Sequence, residues 1–211
     1  HLISDARLLA DYRAAITRLV VEGNSPTLRV ARDELATGLR GLLGRSIPVD
    51  DRVRLDGSIV VGTPKGSRLI AALPLAADLA KIGREGFLIR AATISGKRTI
   101  VVAANSDVGA LYGSYRLLRH LQTNRSIRAL SITSSPRIQL RLLDHWDNLD
   151  RTVERGYAGQ SLWEWERLPD SLSLRYRDYA RANASIGING TVLTNVNANA
   201  KVLTAEYLSK V

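Results

Sequence analysis

The side chains best suited to binding or chemistry are concentrated in residues 143–165. All three tryptophans of the chain lie in this segment, among carboxylates, amides and arginines: Trp146, Trp163 and Trp165. A flat aromatic ring can stack on the apolar face of a pyranose while neighbouring polar groups hydrogen-bond to its hydroxyls. The composition therefore predicts a carbohydrate-binding loop, in which the Asn148 amide and the Arg155 guanidinium are expected to contact the ligand.

Four carboxylates in the same segment could serve as the acid and the base of a glycoside hydrolase. Such an enzyme needs two carboxyl groups that flank the scissile bond, roughly 5 to 9 Å apart depending on the stereochemical outcome. The four lie so close together in the sequence that many folds of the segment would satisfy this distance. We favour solvated, salt-bridged loop carboxylates for all of them: Asp144, Asp147, Asp150 and Glu154.

The sequence predicts no metal or cofactor site. The chain has no cysteine, which excludes disulfides and thiolate ligands, and only three histidines. No two histidines have metal-ligand spacing, so His145 is expected to be a hydrogen-bonded residue at a strand end. Segment 62–66 follows a short apolar strand but lacks the Gly-x-x-x-x-Gly-Lys-Ser/Thr pattern of a phosphate-binding loop, and we expect it to be a turn.

The elements that flank the tryptophan-rich segment read as one βαβ unit. Residues 138–143 are an apolar strand, residues 169–187 a helix and residues 191–193 a second strand, which leads into an asparagine-rich cluster at 195–199. In a (β/α)₈ barrel the active site is built from the loops that follow the strands. Both polar clusters would then lie at the same end of the barrel.

The preceding residues alternate helices and strands in an α/β pattern. We expect helices at 4–24, 35–44 and 105–121, strands at 28–30 and 59–61, and a hairpin at 87–103. Ser134-Ser135-Pro136 is the best domain boundary, because turn formers there precede a proline. The predicted fold is an α/β layer domain at residues 1–136, followed at 137–211 by the start of a (β/α)₈ TIM barrel. The barrel pattern stops after one βαβ unit, so we expect the chain to be truncated.

Composition and charge exclude several classes of protein. The chain is 45% hydrophobic and 24% charged, an ordinary globular balance, and no apolar run is long enough to cross a membrane. The net charge of +10 invites a nucleic-acid interpretation. However, the excess lies in residues 1–136, with 20 Lys and Arg against 11 Asp and Glu, as single arginines spaced along helices. A solvated basic face is favoured over a nucleic-acid site.

Two long motifs resemble the xylan α-1,2-glucuronidases of glycoside hydrolase family 67. The first is His-Trp-Asp-Asn-Leu-Asp at 145–150 with Glu-Arg-Gly-Tyr-Ala-Gly at 154–159. The second is Tyr-Arg-Asp-Tyr-Ala-Arg-Ala-Asn-Ala-Ser-Ile-Gly-Ile-Asn-Gly at 176–190. The resemblance is strongest over residues 141–208 and extends more loosely into the preceding domain. Arg151 departs from the family pattern, which often has a small residue there.

The resemblance implies a specific activity and a set of binding residues. The full-length protein is expected to be an inverting hydrolase that removes (4-O-methyl)glucuronic acid from xylo-oligosaccharides derived from glucuronoxylan. Trp146 would line the pocket for the glucuronic acid ring. Asn195 and Val196 would also bind the substrate, with Val196 forming part of an apolar notch for the 4-O-methyl group. The family's catalytic carboxylates lie on later barrel strands, so no catalytic residue and no activity are expected in these 211 residues alone.

Other interpretations stay open at this stage. A non-catalytic carbohydrate-binding module could use the same tryptophans, and would bind xylan in isolation. A basic nucleic-acid-binding protein would show strongly salt-dependent DNA binding. The favoured interpretation predicts no nucleic-acid or membrane partner and allows a homodimer of the full-length protein. It leaves secreted, periplasmic and cytoplasmic locations open.

Overall fold

The structure, a computed structural model, describes residues 2–194 and 198–211. The chain folds into two compact units, His1–Arg137 and Ile138–Val211. No helix in the described part of the chain is long and apolar enough to span a membrane.

The first unit is built around one six-stranded sheet with the strand order β2-β1-β3-β5-β4-β6. Strands β2, β1, β3 and β5 are parallel, while β4 runs antiparallel to β5 and β6 antiparallel to β4. The elements of this unit are, in chain order, α1 (Ala6–Ala15), β1 (Arg18–Val21), α2 (Pro26–Leu43), β2 (Val49–Asp50), β3 (Ser58–Gly62), α3 (Arg68–Ala71), α4 (Ala76–Leu79), β4 (Phe87–Ile94), β5 (Lys97–Ala104), α5 (Asp107–Gln122) and β6 (Ser131–Ser134).

Both faces of this sheet are covered, which explains why its central strands are apolar on both sides. On one face α5 packs so closely that a Cβ at Gly113 would come within 2.6 Å of Val102 Cγ1. Helix α2 packs against α5, where Gly38 faces Leu118. The other face forms a core with the segment containing α3 and α4: Val20, Val60, Ile70, Leu75, Leu79, Ile82, Leu88, Ile94, Val101 and Ala103.

The sequence predictions for the first two elements were wrong. The helix predicted to reach residue 24 ends at Ala15, and Leu19 lies in strand β1, where it pairs with Ile59 of β3. The strand predicted at 28–30 is the first part of helix α2. That helix begins where Ser25 accepts a hydrogen bond from the Leu28 amide and Pro26 occupies the first turn.

The later predictions for this unit were confirmed. Helix α2 ends at Gly44, whose φ of 65° closes the helix in the left-handed conformation. Strands β4 and β5 form the expected antiparallel hairpin, and α5 begins at Ser106, which accepts a hydrogen bond from the Gly109 amide. The glycine segment after β3 is a turn in which Thr63 Oγ1 accepts from the Gly66 amide at 3.1 Å.

The second unit contains one βαβ unit within its described residues. Strand β7 (Leu142–Asp144) and strand β8 (Gly190–Val192) are parallel, as predicted, and are connected by α6 (Leu174–Ser185). A 3-10 helix (Ala200–Leu203) and α7 (Ala205–Leu208) follow. Closure into a barrel is not seen in this part of the chain and stays a prediction.

The elements of the second unit are shorter than predicted. Strand β7 begins at Leu142, not at residue 138, because its pairing with β8 starts at Leu142, opposite Gly190. Helix α6 begins at Leu174 and not near residue 169. Ser173 caps this start by accepting a hydrogen bond from the Arg175 amide. Leu172, expected on the apolar face of this helix, precedes it and is 73% exposed.

Candidate functional site

The segment after β7 folds into a compact loop, which we call the aromatic loop (residues 145–165). Two antiparallel bridges organise it, one between Asp147 and Val153 and one between Thr152 and Gln160. The Glu154 amide also donates to the Trp146 carbonyl at 2.7 Å. The loop follows the carboxyl end of β7, as the sequence predicted, and its own hydrogen bonds define its shape.

Trp146 and Asp147 point in opposite directions from this loop. Trp146 is 46% exposed, whereas Asp147 is only 3% exposed. Asp147 lies in the bridge to Val153, and consecutive side chains of bridged backbone tend to project to opposite faces. The half-exposed ring is available to stack on a ligand.

The buried Asp147 carboxylate accepts a short hydrogen bond from Ser161 Oγ. Ser161 Oγ accepts in turn from the Trp163 amide at 2.9 Å, and His145 Nδ1 lies 3.8 Å from Asp147 Oδ2. The expectation of a solvated carboxylate was therefore wrong for Asp147. Its burial depends on Ser161, which is distant in sequence.

His145 is a hydrogen-bonded strand-end residue, as predicted. Its Nε2 atom lies 2.6 Å from the Tyr179 hydroxyl, which lies 3.1 Å from Thr191 Oγ1 on β8. The Thr191 hydroxyl donates to the Leu143 carbonyl at 3.2 Å. The imidazole thus connects the loop to both strands. Among the described residues no group of three or more His, Asp or Glu side chains could hold a metal ion.

The other two tryptophans anchor the loop. Trp163 is 9% exposed and Trp165 2% exposed. The Trp163 ring packs against His145 and Tyr176, with centroids 5.3 Å apart in each case, and the Tyr176 hydroxyl accepts from the Glu164 amide. Of the three indoles, only that of Trp146 is substantially exposed.

The remaining predicted binding residues have different environments. The Asn148 amide nitrogen donates to Thr152 Oγ1 at 2.9 Å and to the Glu154 carbonyl at 2.7 Å, so it holds the turn of the loop. Arg155 is exposed. Asn195 and Val196 lie outside the described residues. Sugar contact by these four residues stays a prediction.

Two other carboxylates of the loop match the expectation of solvated, locally paired groups. Asp150 accepts from both the hydroxyl and the amide of Thr152, and these hydrogen bonds lower the pKa of its carboxyl. The Glu154 carboxylate hydrogen-bonds the exposed Tyr157 and raises the pKa of its phenol. The lowered pKa of Asp150 is the opposite of the raised pKa that a general acid requires.

Arg151 gives this loop a set of ion pairs. Its guanidinium lies 3.4 Å from both Glu164 and Glu166. Its φ of 72° is in the left-handed region, which favours glycine. The backbone therefore favours glycine at this position, and the ion pairs offset part of the cost of an arginine there.

Sequence reasoning did not find a cleft in the first unit. The cleft has a volume of about 640 Å³, and its lining includes small residues such as Ala15 and Ala92. Arg98 pairs with Asp56 at 3.0 Å, and an equivalent pair joins Arg128 to Asp11 at 3.1 Å. Because both guanidinium groups of the cleft are paired, it has no evident preference for an anion.

Two family models match the chain. The glycosyl hydrolase family 67 N-terminus matches residues 1–117, and the glycosyl hydrolase family 67 middle domain matches residues 120–211. The division between the two models falls inside the first compact unit, which extends to Arg137. Residues after 120 belong to this unit because β6 pairs with β4 of the first sheet.

Curated relatives carry a common name. The chain is 36% identical to "Probable alpha-glucuronidase A" of Neosartorya fischeri over 85% of its own length and 21% of the relative. It is 31% identical to "Alpha-glucuronidase A" of Emericella nidulans over 84% of its length and again 21% of the relative. The chain therefore spans about a fifth of the length of these proteins.

Solved structures show the same fold at low identity. A family 115 4-O-methyl-α-glucuronidase with specificity for decorated arabinogalactans superposes with a TM-score of 0.58 at 18% identity, over 83% of this chain and 25% of that one. A family 138 enzyme that targets pectin rhamnogalacturonan II gives 0.55 at 17% identity, over 85% and 19%.

Proposed function

The chain belongs to glycosyl hydrolase family 67, and from this membership we propose that the whole protein hydrolyses glucuronosides. The names of the curated relatives support this activity. A non-catalytic carbohydrate-binding module would not account for matches to both the N-terminal and the middle models of a hydrolase family.

The proposed substrate is a xylo-oligosaccharide from glucuronoxylan that carries (4-O-methyl)glucuronic acid in an α-1,2 link to xylose. The proposed reaction inverts the anomeric centre. A carboxylic acid protonates the leaving xylose oxygen while a carboxylate activates a water on the opposite face of the sugar. The Asp147, Asp150 and Glu154 side chains are engaged within the loop, which supports the assignment of both catalytic roles to residues outside this chain.

We assign residues 1–136 to an N-terminal α/β domain and residues 137–211 to the first βαβ portion of a catalytic TIM barrel. The parallel pairing of β7 with β8 supports this assignment. The exposed apolar residues of these strands also support it, since a parallel sheet is normally covered on both faces. These residues include Leu142, Leu143 and Val192, which are 39%, 38% and 39% exposed.

The half-exposed Trp146 at the carboxyl end of β7 is the observation that carries the proposal. Its indole can form one wall of the glucuronic acid pocket, with Asn148 and Arg155 as polar neighbours. We propose that Asn195 and Val196, after β8, complete this wall, and that Val196 contacts the 4-O-methyl group.

The test is release of glucuronic acid by the whole protein. Purified protein is incubated with 4-O-methyl-glucuronosyl xylo-oligosaccharides, and the products are separated and quantified. We expect free 4-O-methyl-glucuronic acid and undecorated xylo-oligosaccharide. Binding of these substrates without turnover would instead identify a carbohydrate-binding protein, and salt-sensitive binding of DNA with no sugar binding would identify a nucleic-acid-binding protein.

A further inference from the structure

We infer that Asp147 and Ser161 are positioning residues that orient Trp146 for the sugar. This inference rests on the proposed function, because it assigns a role within the same binding site. It concerns a carboxylate that sequence reasoning placed in solvent and that the structure buries.

The burial of Asp147 needs a compensating role. Moving a carboxylate out of water costs free energy unless hydrogen bonds or opposite charges replace the lost hydration. Within the described part of the chain its partners are the Ser161 hydroxyl and, at 3.8 Å, the His145 imidazole, with no arginine or lysine ion pair. The loop thus retains a buried carboxyl group whose contacts hold the local geometry.

The geometry held by these contacts is the direction of the Trp146 side chain. The two residues share a peptide unit, so a backbone shift at Asp147 on loss of the Ser161 hydrogen bond would also move the Trp146 backbone and redirect its indole. Asp147 pairs with Val153 across the loop, and the Trp146 carbonyl accepts from the Glu154 amide. The backbone at Asp147 is therefore held by the bridge to Val153, and the Asp147 side chain is held by the hydrogen bond from Ser161.

The residue on the other side of Trp146 is fixed as well. His145 is hydrogen-bonded to Tyr179, and Tyr179 to Thr191 on β8. The Ser161 hydroxyl that binds Asp147 also accepts from the Trp163 amide, which belongs to the buried aromatic cluster. Trp146 is thus held between two anchored neighbours.

A double-mutant cycle separates positioning from general destabilisation. Ser161→Ala removes the donor to Asp147, and a small misplacement of a binding group can lower the rate by up to about a hundredfold. We expect a roughly ten- to hundredfold fall in kcat/KM in the whole protein. In a Trp146→Ala background the same substitution should have almost no further effect, because the group that it positions is gone.

The controls use chemically matched variants. Ser161→Thr keeps a hydroxyl and should restore most of the activity. Ser185→Ala removes a hydroxyl at the exposed end of α6, where it donates to the Ala182 carbonyl, and should leave kcat/KM unchanged. Asp147→Asn keeps the shape and an acceptor for Ser161, and serves if Ser161→Ala does not fold. It should show a smaller loss with the same dependence on Trp146.

The outcomes distinguish the two proposals. Turnover by the wild-type protein with a Ser161→Ala loss that vanishes in the Trp146→Ala background supports the positioning role. Turnover with an equal loss in both backgrounds would overturn that role and leave the proposed function intact. Absence of turnover by the folded wild-type protein would overturn both.

Discussion

Replacing Trp146 by alanine in the whole protein should lower kcat/KM by roughly 30- to 150-fold. A tryptophan side chain has about 250 Å² of contact surface, and 46% of the Trp146 surface is exposed in this structure. If a bound sugar covers most of that exposed area, about 100 Å² is removed from water. At about 25 cal/mol per Å² this gives ~2–3 kcal/mol. A factor of ten in rate corresponds to about 1.4 kcal/mol.

The assay is initial-rate hydrolysis of 4-O-methyl-glucuronosyl xylo-oligosaccharides below KM, where the rate reports kcat/KM directly. Trp146→Phe keeps an aromatic face of smaller area and should lose less than the alanine variant. Thermal unfolding of each variant shows whether the loss arises from the site or from the fold. Unchanged kinetics for folded Trp146→Ala would show that this residue does not contact the sugar.

Four further predictions follow from the fold and the loop. Gly113→Ala should destabilise the first unit by about 1–3 kcal/mol in urea unfolding, because its Cβ has no room against the sheet. The matched Gly41→Ala, whose Cβ meets nothing closer than 3.9 Å, should stabilise it by about 0.5–1 kcal/mol. Equal effects would contradict this packing. Arg151→Gly should be more stable than Arg151→Ala by about 1 kcal/mol, because only the alanine retains the cost of a left-handed backbone; equal stabilities would argue against that conformation. Thr152→Val should raise the carboxyl pKa of Asp150 in an NMR titration, because it removes the hydroxyl hydrogen bond that favours the ionised form. The stabilisation linked to this lowered pKa is present above the usual aspartate range and is lost as pH falls through the folded-state pKa. An Asp150 titration left unchanged by Thr152→Val would contradict the hydrogen bond. The isolated 211-residue chain should release no glucuronic acid. Turnover that is abolished by changes at Asp147 or Glu154 would show that the catalytic carboxylates lie within these residues.

Turn and capping residues correctly predicted the elements that begin or end at them. The hairpin around Ser95-Gly96 and the helix capped by Ser106 follow from turn and capping residues alone. The same kind of signal, Ser25-Pro26, begins α2, and it was missed because Leu28 and Val30 suggest a strand. Capping chemistry was therefore more informative there than short-range alternation.

Contacts between residues distant in the sequence decided two features that the local sequence pattern did not predict. Leu19 continues the apolar spacing of α1, but its pairing with Ile59 places it in a sheet. In the candidate site Trp146 is half-exposed while Trp163 and Trp165 are buried, a difference that the sequence does not encode locally. The burial of Asp147 could not be predicted, because it depends on a hydroxyl brought back by the fold of the whole loop.

The proposed hydrolase activity can be tested by proton NMR of the whole protein acting on a 4-O-methyl-glucuronosyl xylo-oligosaccharide. We predict that the signals of the α-linked sugar disappear and that free 4-O-methyl-glucuronic acid appears first as the β anomer, because the proposed displacement inverts the anomeric centre. Initial appearance of the α anomer would contradict the inverting mechanism. No release of the sugar by folded protein would contradict the central claim that this family 67 chain is part of a glucuronosidase.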